Sequence, residues 1–339
     1  MDVGYTESTK QLEFLRRCKN SCTYFVESLV KIQHPTIGVL PFKLFKYQKS
    51  SIAHFRKHRF NVFRKCRQSG LSTLTGSYAL WIAMFFGHKK ILITSKVDRD
   101  AKEFLARNIK FPYDNLPGWM KELFPCRCND HEMEFGNGSV IRSLPASPNA
   151  LRSNASTLNI IDEAAFIECM DSMWTAGYST LQHGGSVIVI STPQGIGNWY
   201  WETWTGAVDH TNNFNPIRIN WYDMDWALEY YDKILNQHVR ICPTDGIRPC
   251  TTKEDLEKYG EFWSPWLENE FRNLQKKGEG YKFKQEILGE FIGSGGTVIS
   301  GPALKLMERT VKEYENKHQI TIEPVDYINP KTGELEHLD

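Results

Sequence analysis

Between about residues 60 and 195, short apolar runs alternate with longer segments of mixed apolar and polar spacing. The runs are Phe60–Phe63, Lys90–Ser95 (KILITS), Val140–Leu144 (VIRSL), Thr157–Ile161 (TLNII) and Ser186–Ser191 (SVIVIS). Continuous Ile/Val stretches without polar alternation predict strands covered on both faces. Ser72–Phe86 carries the pattern of a long, apolar helix. Strands alternating with helices predict an α/β fold, a mostly parallel, doubly wound sheet with helices on its faces. Phe135-Gly136-Asn137-Gly138-Ser139 predicts a hairpin with Asn-Gly at its tip.

Outside this region the texture changes. Residues 1–45 read as helices and connectors, with Pro35 and Pro41 breaking the pattern. Residues 46–200 form the expected core. Residues 201–300 turn rich in Trp and Tyr, then helical and charged (KEDLEKYGEFW, WLENEFRNLQKKGEG), which predicts a smaller helical or lid subdomain packed on the core. Residues 301–339 are polar, end in YINPKTGELEHLD, and read as a helix followed by a linker tail.

Composition changes little in this picture. The 339 residues hold 41 Lys+Arg against 40 Asp+Glu, so a net charge of +1 gives no global field toward nucleic acid or membrane. Nucleic acid would have to be met by local patches, such as Arg56-Lys57-His58-Arg59 with Arg64, or Lys276-Lys277 with Lys282 and Lys284. None of the eight cysteines forms a CxxC pair, which fits reduced intracellular thiols. The N-terminus lacks the regions of a signal peptide, and Tyr78–Phe86 is far short of a membrane span. These features predict a soluble cytosolic protein without a membrane partner.

The chemistry starts at Lys65-Cys66-Arg67-Gln68-Ser69-Gly70-Leu71-Ser72-Thr73, between a predicted strand and a predicted helix. Strand, tight loop and helix are the setting of a phosphate-binding loop, where backbone N–H groups and a helix N-terminus surround phosphates. Gly70 lets the backbone approach closely, and Ser72 or Thr73 supplies a hydroxyl for Mg²⁺. Lys65 stands where the first glycine of such a motif usually lies, and Leu71 where its lysine usually lies. Arg67, inside the loop, is placed to sense or neutralise a γ-phosphate. Alone, this stretch fits a chance strand–turn–helix equally well.

A second element favours the nucleotide reading. Leu158-Asn159-Ile160-Ile161-Asp162-Glu163 ends a buried strand in two carboxylates, at the sheet edge where α/β folds bind ligands. Asp162 would hold Mg²⁺ while Glu163 polarises the attacking water. The alternative is an acidic pair opening a loop or capping the next helix. Ser191-Thr192, ending SVIVIS, would place hydroxyls beside that pair if the two strands are neighbours. Pro193 after a capped strand end is the plain alternative. Tyr47-Gln48 offers an aromatic face and an amide suited to adenine. Arg152, in a loop before the acidic strand, is either surface or a residue reaching a neighbouring subunit's site.

Taken in order, these residues resemble the ATPase half of the large terminase subunit of T4-like tailed phages. The match runs through YQ, CRQSGLST, NGSVIRSLPASPNALRSN, NIIDEAAFI, ISTPQG with GNWYWETW, and GEFIGSGGTVISG. The resemblance implies a RecA-like (ASCE) P-loop ATPase with a lid, using ATP and Mg²⁺. It assigns nucleotide contacts to Tyr47, Gln48 and residues 65–73, metal binding to Ser72 and Asp162, and catalysis to Glu163, Arg67 and Lys65. Coupling falls to Ser191 and Thr192, and a trans arginine to Arg152. Expected partners are double-stranded DNA, the portal protein, the small terminase subunit and further copies in a homo-oligomeric ring. The expected location is the host cytoplasm, transiently on the prohead and not in the mature virion.

Two departures bear on this. Most T4-like members have lysine where Leu71 stands, although some packaging ATPases carry it at the head of the loop, as Lys65 would be. The family's C-terminal half is a nuclease with clustered carboxylates, and Glu323, Asp326, Glu334, Glu336 and Asp339 lie on too short a segment to build one. Nuclease activity is therefore not expected. A helicase-like RecA motor and a catalytically silent packaging subunit remain the competing readings.

Overall fold

The computed structural model describes residues 7–34, 37–152, 155–181, 184–224, 229–232, 237–240, 248–260, 262–293, 325–328 and 335–338. Two helices, α1 (Glu7–Asn20) and α2 (Cys22–Leu29), open the chain. Ser21 caps α2 by accepting from the Tyr24 backbone at 3.1 Å. An antiparallel hairpin follows, β1 (Lys31–His34) and β2 (Gly38–Pro41), pairing Lys31 with Pro41. The segment read as helices and connectors thus carries a hairpin, with Pro41 ending its second strand, which the apolar spacing did not announce. Buried Cys18, Cys22, Phe25 and Val26 join the main core.

Eight strands form the central sheet: β3 (Phe60–Lys65), β4 (Lys90–Ser95), β5 (Cys126–Cys128), β6 (Glu132–Phe135), β7 (Val140–Pro145), β8 (Leu158–Asp162), β9 (Ser186–Ser191) and β10 (Asn215–Ile219). Their order is β10-β3-β9-β8-β4-β7-β6-β5, parallel from β10 to β7 and antiparallel from β7 to β5. This is the α/β, mostly parallel RecA-like architecture. The turn over Phe135–Ser139 joins β6 to β7, and the Asn137 side chain donates to Ala83 O and Met84 O at the end of the neighbouring helix.

Side-chain alternation along the inner strands builds two cores. Phe63, Ile91, Ile93, Ile160, Ile188 and Ile190 face one apolar cluster. Val62, Leu92, Ile161, Val187 and Val189 face another on the opposite side. Both faces are covered by helices, so each strand reads as an unbroken apolar run. The first face carries α3 (Lys46–Lys57) and α4 (Leu71–Phe85). Between β4 and β5 the chain runs through α5 (Asp98–Leu105), α6 (Phe111–Asp114) and α7 (Gly118–Leu123). The second face carries α8 (Met170–Leu181) and α9 (Trp199–Val208).

The 201–300 segment contains strands its aromatic, charged texture hid, and one of them joins the central sheet. β10 returns to the sheet and pairs in parallel with β3, placing Ile219 opposite Lys65. Beyond it, Trp221, Met224, Tyr259, Trp266, Leu267, Phe283 and Leu288 form a third cluster, which also buries Cys66 of the loop. Helices Lys253–Tyr259 and Pro265–Lys276 belong to this part.

The chain divides into units 1–292 and 293–339. In the second, Val325–Ile328 pairs antiparallel with Leu335–Leu338. The tail read as a linker therefore contains a pair of antiparallel strands. The helix expected ahead of it lies outside the described residues.

Candidate nucleotide site

The loop between β3 and α4 is shaped by two left-handed residues, Gln68 at φ 60° and Gly70 at φ 67°. Gly70 is required twice over. Its φ is costly for other residues, and a Cβ there would stand 3.0 Å from Gln48 Nε2. The loop is buttressed from α3: Tyr47 Oη donates to Ser69 O at 2.6 Å, and Gln48 Nε2 to the same oxygen at 3.3 Å. Gln48 Oε1 accepts from Phe45 N at 3.1 Å, so both ends of that buried amide are engaged. Ser69 Oγ is buried without a hydrogen-bond partner. An orphaned hydroxyl in a loop wrapped on a helix N-terminus fits a phosphate.

Parallel pairing brings the strand ends together. Asp162 lies opposite Ile190, and Arg64 opposite Ser191, so Lys65, Asp162 and Ser191 share one edge. Across it, Ser72 Oγ donates to Asp162 Oδ1 at 2.9 Å, and Lys65 Nζ reaches Glu163 Oε1 at 2.9 Å. Lys65 is only 6% exposed. Burial pulls its ammonium down, but Glu163 and Asp162 outweigh this and hold it above its ordinary value, hence charged. Burial, then repulsion from Glu163, pushes Asp162 up to about 6 against the help of Lys65 and Ser72. Glu163 itself sits at φ 52°, a left-handed conformation that costs a non-glycine residue on the order of 1 kcal/mol or more and clusters at functional sites.

A cleft of about 330 Å³ opens here, lined by Ser72, Asp162 and Glu163 together with Ser95, Arg107 and Asn108. The last three escaped the sequence reading. Ser95 ends KILITS at the same sheet edge, a signal that was available; Arg107 and Asn108 lie on a helix with no motif. The oxygen donors Ser72 and Asp162 suit Mg²⁺, which takes one or two carboxylates and fills its shell from phosphate and water. Among the described residues no group of three or more His, Cys, Asp or Glu is placed to cage a metal alone.

Other predicted residues are placed differently. Arg67 is exposed and turned to the third cluster, with Nη1 2.6 Å from Glu286 Oε2 and its backbone N 2.8 Å from Glu286 O. Leu71 is buried in the main core and offers nothing to a ligand. Cys66 packs against Met224, and Thr73 Oγ1 donates to Asn108 Oδ1 at 3.0 Å. Ser191 Oγ accepts from Ala165 N at 3.1 Å, tying β9 to the turn that follows the acidic pair; Thr192 is buried beside it. Arg152 lies outside the cleft, in a turn whose groove is shared with Asp171 and Thr175 of α8. Of the basic patch, Arg59 donates to Leu181 O and Gly185 O, and Arg64 stacks over Trp204 and Phe291. Both are therefore engaged in holding the fold.

Residues 62–306 match the family model described as terminase large subunit, T4likevirus-type, N-terminal. Among solved structures, the large terminase of bacteriophage HK97 is 16% identical, with a TM-score of 0.53 over 80% of this chain and 55% of that one. The ATPase domain of the Thermus phage P74-26 large terminase is 17% identical, with a TM-score of 0.49 over 74% of this chain and 94% of that one. A large terminase from another thermophilic bacteriophage is 13% identical, with a TM-score of 0.48 over 74% of this chain and 54% of that one. The chain thus spans about half the length of the HK97 protein and of this last one.

Proposed function

The chain belongs to the T4-like terminase large subunits, and from that premise we propose that its cleft is a Mg²⁺-dependent ATPase site driving double-stranded DNA into a prohead through the portal. The observation that carries this is the double clasp of loop onto strand end, Ser72–Asp162 and Lys65–Glu163, each at 2.9 Å.

Lys65 and the N-terminus of α4 receive the phosphates, and Gly70 lets the backbone close on them. Ser72 and Asp162 hold Mg²⁺, which when bound neutralises charge on the phosphates. Glu163 orients and deprotonates the attacking water. In the free protein its carboxylate is occupied by Lys65, so phosphate drawing Lys65 away releases the base. Arg67 joins the γ-phosphate by leaving Glu286. That exchange ties occupancy of the loop to the third cluster, which we assign as the lid.

Tyr47, half-buried beside the loop with its ring stacked on Phe45, contacts adenine in this reading, and Gln48 holds the loop's shape. Ser191 and Thr192 link the acidic turn to β9 and transmit hydrolysis. Arg152 serves a neighbouring copy in a homo-oligomeric ring. The small terminase subunit is the further partner, and the site of action is the host cytoplasm, transiently on the prohead.

Phosphate release from ATP tests the reading. We expect Mg²⁺-dependent turnover by the chain under packaging conditions, abolished by EDTA and lowered about 100-fold or more in Lys65→Ala. No turnover in either protein would favour a silent packaging subunit, and unwinding of duplex DNA would favour a helicase-like motor.

A further inference from the structure

Asn108 enters the cleft by an irregular route. Helix α5 passes directly into a π-turn, Ala106–Lys110, and then into α6. A π-turn inserts one extra residue into a helix, and such bulges are frequent at functional sites. This one is fitted to α4: a Cβ at Gly76 would stand 2.5 Å from Asn108 O and 2.7 Å from Asn108 Cβ. Gly76 sits mid-helix, where glycine costs roughly 1 kcal/mol relative to alanine. The fold accepts that cost where the π-turn presses on α4.

The close approach aims the Asn108 side chain at the start of α4. Its Oδ1 accepts from Thr73 Oγ1 at 3.0 Å, beside the Ser72–Asp162 contact. Thr73 is the third residue of α4, on the turn whose free N–H groups face a phosphate. A carboxamide differs from a carboxylate of the same shape because it both accepts and donates.

We propose that Asn108 is a positioning residue for the nucleotide, acting through Thr73. In the free protein Asn108 Oδ1 accepts the Thr73 hydroxyl proton. With phosphate in the loop, the amide turns so that Nδ2 donates to Thr73 Oγ1, and Thr73 donates its proton to a phosphate oxygen. Gly76 and the π-turn hold the amide within reach of both arrangements. This rests on the nucleotide site proposed above.

The test is equilibrium binding of a fluorescent ADP analogue, with Mg²⁺, to the full chain. Asn108→Asp keeps the shape and the acceptor for Thr73 but cannot donate. We expect wild-type melting behaviour and affinity weakened about tenfold or more. In a Thr73→Ala background, the same Asn108→Asp change should cost less than about threefold, because the residue it acts through is gone. Gly76→Ala, which displaces the π-turn, should weaken binding similarly. Equal penalties with and without Thr73 would show simple charge repulsion and overturn the proposal, as would undiminished binding by Asn108→Asp. A wild-type chain that binds no nucleotide would overturn the nucleotide site itself, a result separable from the other two.

Discussion

Leu71 occupies the place where a phosphate-binding lysine is common, and its side chain is 1% exposed in the main core. A lysine there would bury an ammonium among Phe63, Leu74 and Ile190. Leu71→Lys should therefore lower stability by about 3 kcal/mol or more, read by denaturant unfolding, and should not raise ATP turnover. In the proposed site that charge falls to Lys65, which is clasped to Glu163 at 2.9 Å. Asp162 gives a second prediction at this scale. Burial and Glu163 raise its folded value to about 6, above an unfolded value of 3.8. The folded state binds that proton more tightly, so the stability Asp162 contributes falls as pH rises between those values. Asp162→Asn should melt higher than wild type at about pH 7, with the gap closing toward about pH 4. Calorimetry across that range checks both the sign and the window. That Lys65 and Asp162-Glu163 stand at strand ends on one sheet edge was legible from residue types and spacing. What each side chain is engaged in was not: Gln48 gives its amide nitrogen to Ser69 O of the loop and its amide oxygen to Phe45 N at the start of α3, and Ser191 its hydroxyl to Ala165 N.

At the scale of elements, the inner strands were legible because both their faces are covered, leaving runs such as KILITS and SVIVIS unbroken. β10 was not. Asn-Pro-Ile-Arg-Ile is short, carries proline near its start and sits at the sheet edge, so it lacks that signature. Yet β10 matters, because Ile219 O accepts from Cys66 N and supports the loop from outside. The π-turn was equally silent, since a one-residue insertion leaves the apolar spacing almost intact. The pair Arg67–Glu286 joins the loop to the segment of the third cluster. Its arginine is well exposed, so the pair is worth little in stability. Its weight lies in competition: Glu286→Ala should free Arg67 and raise affinity for ATP by up to about fivefold, measured by equilibrium titration. Unchanged affinity would mean that Arg67 does not reach the nucleotide.

At the scale of the molecule, two apolar clusters clamp the sheet and a third leans on the loop through Cys66 and Arg67. The first two pack the strands that end in Lys65 and Asp162 from both faces. The third is built largely of aromatic side chains around Trp221 and Trp266, and it contacts the site at the loop. The proposed cycle rests on Glu163 as the group that would activate water. The direct measurement is ATP hydrolysis by Glu163→Gln alongside its affinity for ATP. Turnover should fall at least about 100-fold with ATP binding retained; hydrolysis at the wild-type rate would contradict the role of Glu163 as the base.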